Sequence, residues 1–299
     1  MADTTPIRPS LRQIGDDTIV RSSSIILEHA AEGASLESTF IKEGSLPALD
    51  SSLCPGFQSS EVKVVNADSF TVARDIIREY PSAHGKVSVL NLASDEEPAG
   101  GWKYVRSKTQ EEALCYSSTL FCTLKSSYYP WPNLGPGSVS GIYSPGVVIF
   151  KNDLDHDCVD LDPMDRKVVS VLTVAAPRGP DLTSDESSFK NSSDLDNLRG
   201  KIKLVYRMAA YHGQQYLVLG AMGCGAYACP PKLVAEEMKT ALLDPEFGGW
   251  FRKVVFAVYS NRKNGPGNFD VFQSVFNGAL EIEESPTVRT GTAVVYKLD

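Results

Sequence analysis

The stretch Asn91-Leu-Ala-Ser-Asp-Glu-Glu-Pro-Ala-Gly100-Gly101-Trp-Lys-Tyr-Val-Arg-Ser-Lys-Thr-Gln110-Glu111-Glu112 decides the fold class. Just before it, the apolar run 87–90 reads as a buried strand that ends at Asn91. Just after it, a helix is expected over 109–125, with Leu114, Ser118, Phe121 and Cys122 on one face. Strand, glycine loop and helix in that order make the corner of an open α/β sheet where ligands sit, outside the carboxyl ends of the strands. The paired glycines let the loop backbone approach a ligand closely. Consecutive helical residues point about 100° apart, so Glu111 and Glu112 cannot share one task. The plainer alternative is that Gln110, Glu111 and Glu112 only open a helix whose dipole favours acids in its first turn.

Working outward, 62–65 reads as a strand and 71–79 as a helix, which gives a β-α-β rhythm with the strand at 87–90. Further buried strands are expected at 147–150, 168–174, 216–219 and 254–259. Helices are expected over 196–212, after a Ser/Asp-rich loop at 181–196, and over 232–243, after a Pro-Pro start. The alternation implies an α/β fold: a mixed sheet flanked by helices on both faces. Residues 1–60 read as a helical or irregular N-terminal extension packed on the core, and 61–299 as a single globular unit.

A second glycine cluster, Gly220-Ala-Met-Gly223-Cys224-Gly225-Ala226-Tyr227, also lies between a strand and a helix. It suits a nest of backbone amides that cradles phosphate, or a tight turn that needs positive φ. It is neither a Walker A loop nor a dinucleotide-binding fingerprint.

Composition narrows the function classes. The 299 residues are 42% apolar and carry a net charge of -8, which argues against a surface for duplex nucleic acid while leaving room for an anion held by backbone amides. The apolar runs fall short of the roughly 20 residues that span a bilayer, and the N-terminus lacks a secretory h-region. The expectation is therefore an intracellular protein, cytoplasmic or nuclear, that does not bind membranes. Six cysteines without a C-x-x-C pair read as reduced thiols, and four scattered histidines do not suggest zinc. Asp153, Asp155 and Asp157 have the start of a calcium loop, but Cys158 and Met164 occupy its sixth and twelfth positions, so a solvated acidic loop is expected. Asp68 suits either a helix N-cap or a contact to an adenine amino group.

Both glycine clusters, with Gln110-Glu111-Glu112 between them, resemble the microbial-type poly(ADP-ribose) glycohydrolases, whose signature is a glycine triplet, a short spacer and Q-E-E. The spacer here is Trp102 to Thr109. Glu111-Glu-Ala-Leu-Cys-Tyr-Ser-Ser-Thr-Leu120, Tyr128-Tyr-Pro130, Ile142-Tyr-Ser-Pro145 and Gly223-Cys-Gly-Ala-Tyr227 also look like family blocks, particularly of fungal members, and the likeness runs over about 62–259. The resemblance implies a macrodomain-like fold. It implies hydrolysis of ribose-ribose O-glycosidic bonds in poly(ADP-ribose) and on ADP-ribosylated proteins, with ADP-ribose as product and no cofactor or metal.

Residue by residue, the resemblance makes Glu112 the catalytic acid and gives Glu111 a ribose hydroxyl. Asn91 would meet the distal ribose, and Gly100 and Gly101 would line the diphosphate and that ribose, with Gln110 in the same site. Gly223, Cys224, Gly225 and Ala226 would form a second diphosphate loop, with Tyr227 packed on the ligand. The sequence departs from the pattern at Ala99, which replaces the first glycine of the triplet, and at Ser117 and Cys229. A methyl group at Ala99 would crowd the pyrophosphate or require a different φ. Two other functions share the resemblance: a module that only binds ADP-ribose, and a hydrolase of single ADP-ribose units on proteins.

Overall fold

The computed structural model describes residues 9–58, 61–260, 267–277 and 296–297. The apolar runs of the sequence become the middle of an eight-stranded sheet. Its order is β1 (Thr39–Ile41), β4 (Gly141–Ile149), β5 (Lys167–Val174), β3 (Val87–Leu92), β6 (Tyr216–Leu219), β7 (Lys253–Ala257), β2 (Glu61–Val65) and β8 (Tyr296–Lys297). The five strands β5, β3, β6, β7 and β2 run parallel. The outer strands pair antiparallel: β1 with β4, β4 with β5, and β8 with β2. Strands β6 and β7 are buried along their whole length, which is why they read as continuous apolar runs instead of alternating.

Helices cover both faces. On one, α5 (Ser192–Tyr211), α6 (Pro231–Leu242) and α7 (Asn268–Asn277) bury Tyr206, Met238 and Phe272 against Leu90, Leu217 and Phe256. On the other, α2 (Ser69–Glu79) and α4 (Gln110–Ser117) pack Phe70, Ile76 and Leu114 over Val89, Val171 and Val218. The helix α1 (Leu11–Glu28) starts in a capping box, in which Ser10 and Gln13 satisfy each other's backbone. It joins the second face through Ile14 and through the Thr18 hydroxyl, which donates to the Tyr116 carbonyl at 2.9 Å. The buried Lys151 ammonium donates to the Ile14 carbonyl and pairs with Asp17 at 2.6 Å.

Four elements differ from the sequence expectation, and long-range backbone pairing is the cause for the first three. The helix expected over 109–125 stops at Ser117, leaving Ser118, Phe121 and Cys122 beyond it. There the Ser117 carbonyl accepts the Phe150 and Lys151 amides, and Ser118 bridges to Ile149. Strand β4 begins six residues before the expected 147, because a register shift between Ser144 and Val147 accommodates Pro145 inside the strand. Thr39–Ile41, within the stretch read as an extension, adds an edge strand to β4. The helix expected from 196 also starts earlier, at Ser192.

All six cysteines are free. Among the described residues no helix is long and apolar enough to cross a membrane.

The β4 irregularity creates a close contact. The Ser35 amide donates to the Gly146 carbonyl at 3.0 Å, and a Cβ on Gly146 would lie 2.2 Å from the Gly33 carbonyl oxygen. Gly146→Ala must therefore push backbone from backbone. We expect a loss of about 1–3 kcal/mol in chemical unfolding, the usual cost of overpacking, whereas an unchanged midpoint would show that the contact is loose.

Candidate functional site

The carboxyl ends of β2, β3, β5, β6 and β7 open into one cleft of about 860 Å³, the size that takes a drug-sized or cofactor-sized ligand. Its catalytic-looking corner is built by the last residues of β3 and the first turn of α4. The Gln110 side chain donates to the Leu90 carbonyl at 2.8 Å and accepts the Leu92 amide at 2.9 Å. Glu111, 3% exposed, accepts from Asn91 Nδ2 at 3.0 Å and from the Ser94 amide at 2.8 Å. Burial pushes its carboxyl up to about 8 against the opposing effect of those two donors, and the neighbouring Glu112 and Asp95 add to the rise.

Glu112 is equally buried and points about 100° away from Glu111 around the helix. Its Oε2 accepts the Ser107 hydroxyl and, at 3.3 Å, the Thr109 amide, closing a capping box with Thr109. Burial raises its pKa above the ordinary glutamate range, and the Thr109 contacts partly offset this. Two carboxyls inclined to hold protons thus sit side by side at the cleft wall.

The glycine loops have separate reasons for their composition. Ala99, Gly100 and Gly101 follow one another at φ of 58°, 57° and 77°. A Cβ on Gly101 would lie 2.7 Å from Glu97 Oε1, and one on Gly100 would lie 3.4 Å from Glu111 Oε2. Gly223 has φ of 76°, and a Cβ there would meet the Ala176 Cβ at 2.6 Å and the Cys229 sulfur at 2.7 Å. Gly225 needs neither positive φ nor space: a Cβ there meets nothing within 4 Å, so its bareness only opens the cleft wall.

Asp95 ties these loops together. It is 2% exposed, and its carboxylate accepts from the Tyr227 hydroxyl at 2.9 Å, from Asn133 Nδ2 at 3.0 Å and from Arg178 Nη2 at 3.3 Å. Arg178 also pairs with Glu96 and lies over the Tyr227 ring. Asn133 is held from behind by α5, where the buried Lys201 ammonium donates to its carbonyl. At the far end, Asp68 caps α2 through the Phe70 and Thr71 amides while lining the cleft near Tyr259.

The family model described as microbial-type PARG, catalytic domain, matches residues 26–152. Among solved structures, the poly(ADP-ribose) glycohydrolase of Thermomonospora curvata is similar at 27% identity, covering 89% of this chain and 99% of that one, with a TM-score of 0.71. The same organism's enzyme bound to the inhibitor ADP-HPD is similar at 28% identity, covering 88% and 98%, with a TM-score of 0.69. The poly(ADP-ribose) glycohydrolase of Deinococcus radiodurans in complex with ADP-ribose is 30% identical, covering 76% of this chain and 88% of that one, with a TM-score of 0.63. The chain belongs to the microbial-type poly(ADP-ribose) glycohydrolases. Comparison with curated protein sequences gives no match.

Of the residues that the sequence marks in this glycohydrolase, Gly100, Gln110, Glu111, Glu112, Gly223, Gly225, Ala226 and Tyr227 line the cleft. Asn91, Ala99, Gly101 and Cys224 are not in its lining. Asn91 is fully buried and spends its amide on Glu111 and Thr173. Ala99 keeps a glycine-like φ and puts its methyl in the core with Trp102 and Leu114, so the departure from the triplet faces away from the cleft. Ser117 is buried, its hydroxyl turned back to the Ala113 carbonyl, and Cys229 lies beneath Gly223 with its thiol on the Pro177 carbonyl. Among the described residues no group of three or more His, Cys, Asp or Glu side chains is placed to hold a metal ion. The acidic stretch folds back on itself, with Asp153 accepting from Thr71 and His156.

Sequence reasoning passed over Asp95, Arg178 and Ser107. The rule that ligands gather beyond strand ends marks Arg178, which closely follows β5, as a basic residue at the cleft rim.

Two outcomes follow from this geometry. Folded, Glu111 keeps its proton up to about pH 8, whereas the unfolded chain releases it near 4.5. The folded state thus binds one proton more in that window, and stability falls as pH rises through it. Urea unfolding at about pH 5 and about pH 8 should show a smaller decline for Glu111→Gln than for wild type; parallel declines would contradict the buried acid. Asp95→Ala takes an acceptor from Arg178, Asn133 and Tyr227 at once and should cost about 1–3 kcal/mol with weakened ADP-ribose binding by calorimetry, while unchanged affinity would show that Tyr227 and Arg178 hold their places unaided.

Proposed function

We propose that the protein releases ADP-ribose from poly(ADP-ribose), including chains on modified proteins, with Glu112 as the general acid and then the general base. The supporting observation is the buried Glu112 at the cleft wall, one residue from Glu111 and gripped at one oxygen by Ser107 and Thr109. Because Oε2 already accepts two donors, the transferable proton belongs on Oε1. Cleavage of a ribose-ribose bond passes through an oxocarbenium-like state. The Glu112 proton moves to the departing ribose oxygen as its bond to the distal anomeric carbon breaks. The resulting carboxylate takes a proton from the water that attacks that carbon, which restores the acid.

Glu111, pointing about 100° away around the helix, is left to orient a hydroxyl of the distal ribose. The ligand's diphosphate fits the Gly223 to Tyr227 loop, whose bare Gly225 admits close approach, with Arg178 at the rim. A bound diphosphate also adds negative charge near Glu112 and so keeps it protonated.

The test is ADP-ribose release from purified chains, with EDTA present, by wild type and Glu112→Gln. Wild type should turn over, and the variant should be slower by about 10²–10⁴-fold while binding ADP-ribose in calorimetry. Glutamine still fits the third helical position of a capping box, so the variant should melt near wild type, whereas Glu112→Ala should lose about 1 kcal/mol. Undiminished turnover by Glu112→Gln would remove Glu112 from the mechanism.

A further inference from the structure

The segment that joins the glycine turn to the catalytic helix concentrates exposed positive charge in an acidic chain. Lys103-Tyr104-Val105-Arg106-Ser107-Lys108 holds three cations and no acid, in a protein of net charge -8. Lys103, Arg106 and Lys108 are exposed. Among the described residues neither Arg106 nor Lys108 has an ion-pair partner, in contrast to Arg178 across the cleft, which is paired with both Asp95 and Glu96. Tyr104 is 78% and Val105 66% exposed, although both belong to the short helix α3 (Trp102–Val105) whose first residue, Trp102, is buried. Packing therefore anchors the segment at Trp102 and leaves an aromatic ring and free cations at the lip. Val105, Ser107 and Lys108 line the cleft itself.

The place of this lip relative to the reacting bond follows from Ser107, whose hydroxyl donates to Glu112. The group that protonates the leaving oxygen is thus held by the same segment. From Ser107 to Tyr104 the chain spans at most roughly 10 Å, less than the length of an extended nucleotide sugar. In a polymer, the unit attached to the leaving oxygen presents an adenine face and two phosphates. An exposed tyrosine beside unpaired cations is the usual platform for those groups: the ring stacks on the base and the cations meet the phosphates.

We propose that Tyr104 and Arg106, with Lys108, form a second subsite that holds the ADP-ribose unit on the leaving side of the scissile bond. The direction of the chain rests on the hydrolase reading above. The subsite itself is a binding property and is tested as one. Its consequence is that a chain is gripped on both sides of the reacting bond, whereas a single unit on a protein side chain is gripped on one.

Calorimetry with the Glu112→Gln protein, using ADP-ribose and a two-unit chain as ligands, decides the matter. The two-unit chain should bind about tenfold more tightly than ADP-ribose, in line with one stacked base and a neutralised diphosphate. Adding Tyr104→Ala and Arg106→Gln should abolish that advantage and leave ADP-ribose affinity unchanged, which also reports an intact fold. Raising salt should shrink the advantage in the protein with the segment intact. Equal affinity for one and two units, or an advantage that survives the double substitution, would overturn the subsite. Failure of wild type to release ADP-ribose from chains would instead overturn the hydrolase reading, so the two failures are distinguishable.

Discussion

The site depends on the way the first turn of α4 is fastened to the end of β3. Strand β6 pairs with β3 only over Val87, Ser88 and Val89, so on that side the backbone of Leu90 and Leu92 is left without a neighbouring strand. The Gln110 side chain takes its place, accepting the Leu92 amide and donating to the Leu90 carbonyl as a peptide unit would. Glu111 adds the Asn91 side chain and the Ser94 amide. With two consecutive side chains committed to the strand, the helix has no rotational freedom. Glu112, the next residue, is fixed toward Ser107 and Thr109.

This fastening has an electrostatic cost that the chemistry can use. Donors around Glu111 favour its charged form, yet burial dominates and pushes the carboxyl up to about 8. An acid that stays neutral near neutral pH does not repel the one beside it, so Glu112 can be buried without leaving two adjacent buried charges. At the rim, Arg178 compensates both Glu96 and the buried Asp95 behind it. Asp95 joins the loop after β3 to the loops after β5 and β6, so the three walls of the cleft share one carboxylate.

The glycine loops show that one residue type serves different ends. Gly223 is required by its own φ and by the Ala176 and Cys229 side chains packed beneath it. Gly225 is required by no contact and no φ within the protein, and it leaves bare backbone at the cleft wall. Ala99 shows the reverse. It occupies a conformation suited to glycine, and its methyl is accommodated because the turn directs it into the core with Trp102.

The sequence by itself determined the succession of strands and helices, the two glycine loops at strand ends, and the pair of glutamates at a helix start. Each of these is encoded locally, by apolar period, by turn residues and by a capping pattern. Tertiary structure alone decided where α4 stops, because the Ser117 carbonyl is claimed by Phe150 and Lys151. It alone turned Ser144 to Val147 from an apparent break into a bulge within β4, and made a strand of Thr39–Ile41. It also decided that Asn91, itself outside the cleft lining, would hold Glu111 and that Asp95 would become a hub. Those outcomes depend on partners tens of residues away in the chain, and local patterning carries no record of which distant donor will meet which acceptor.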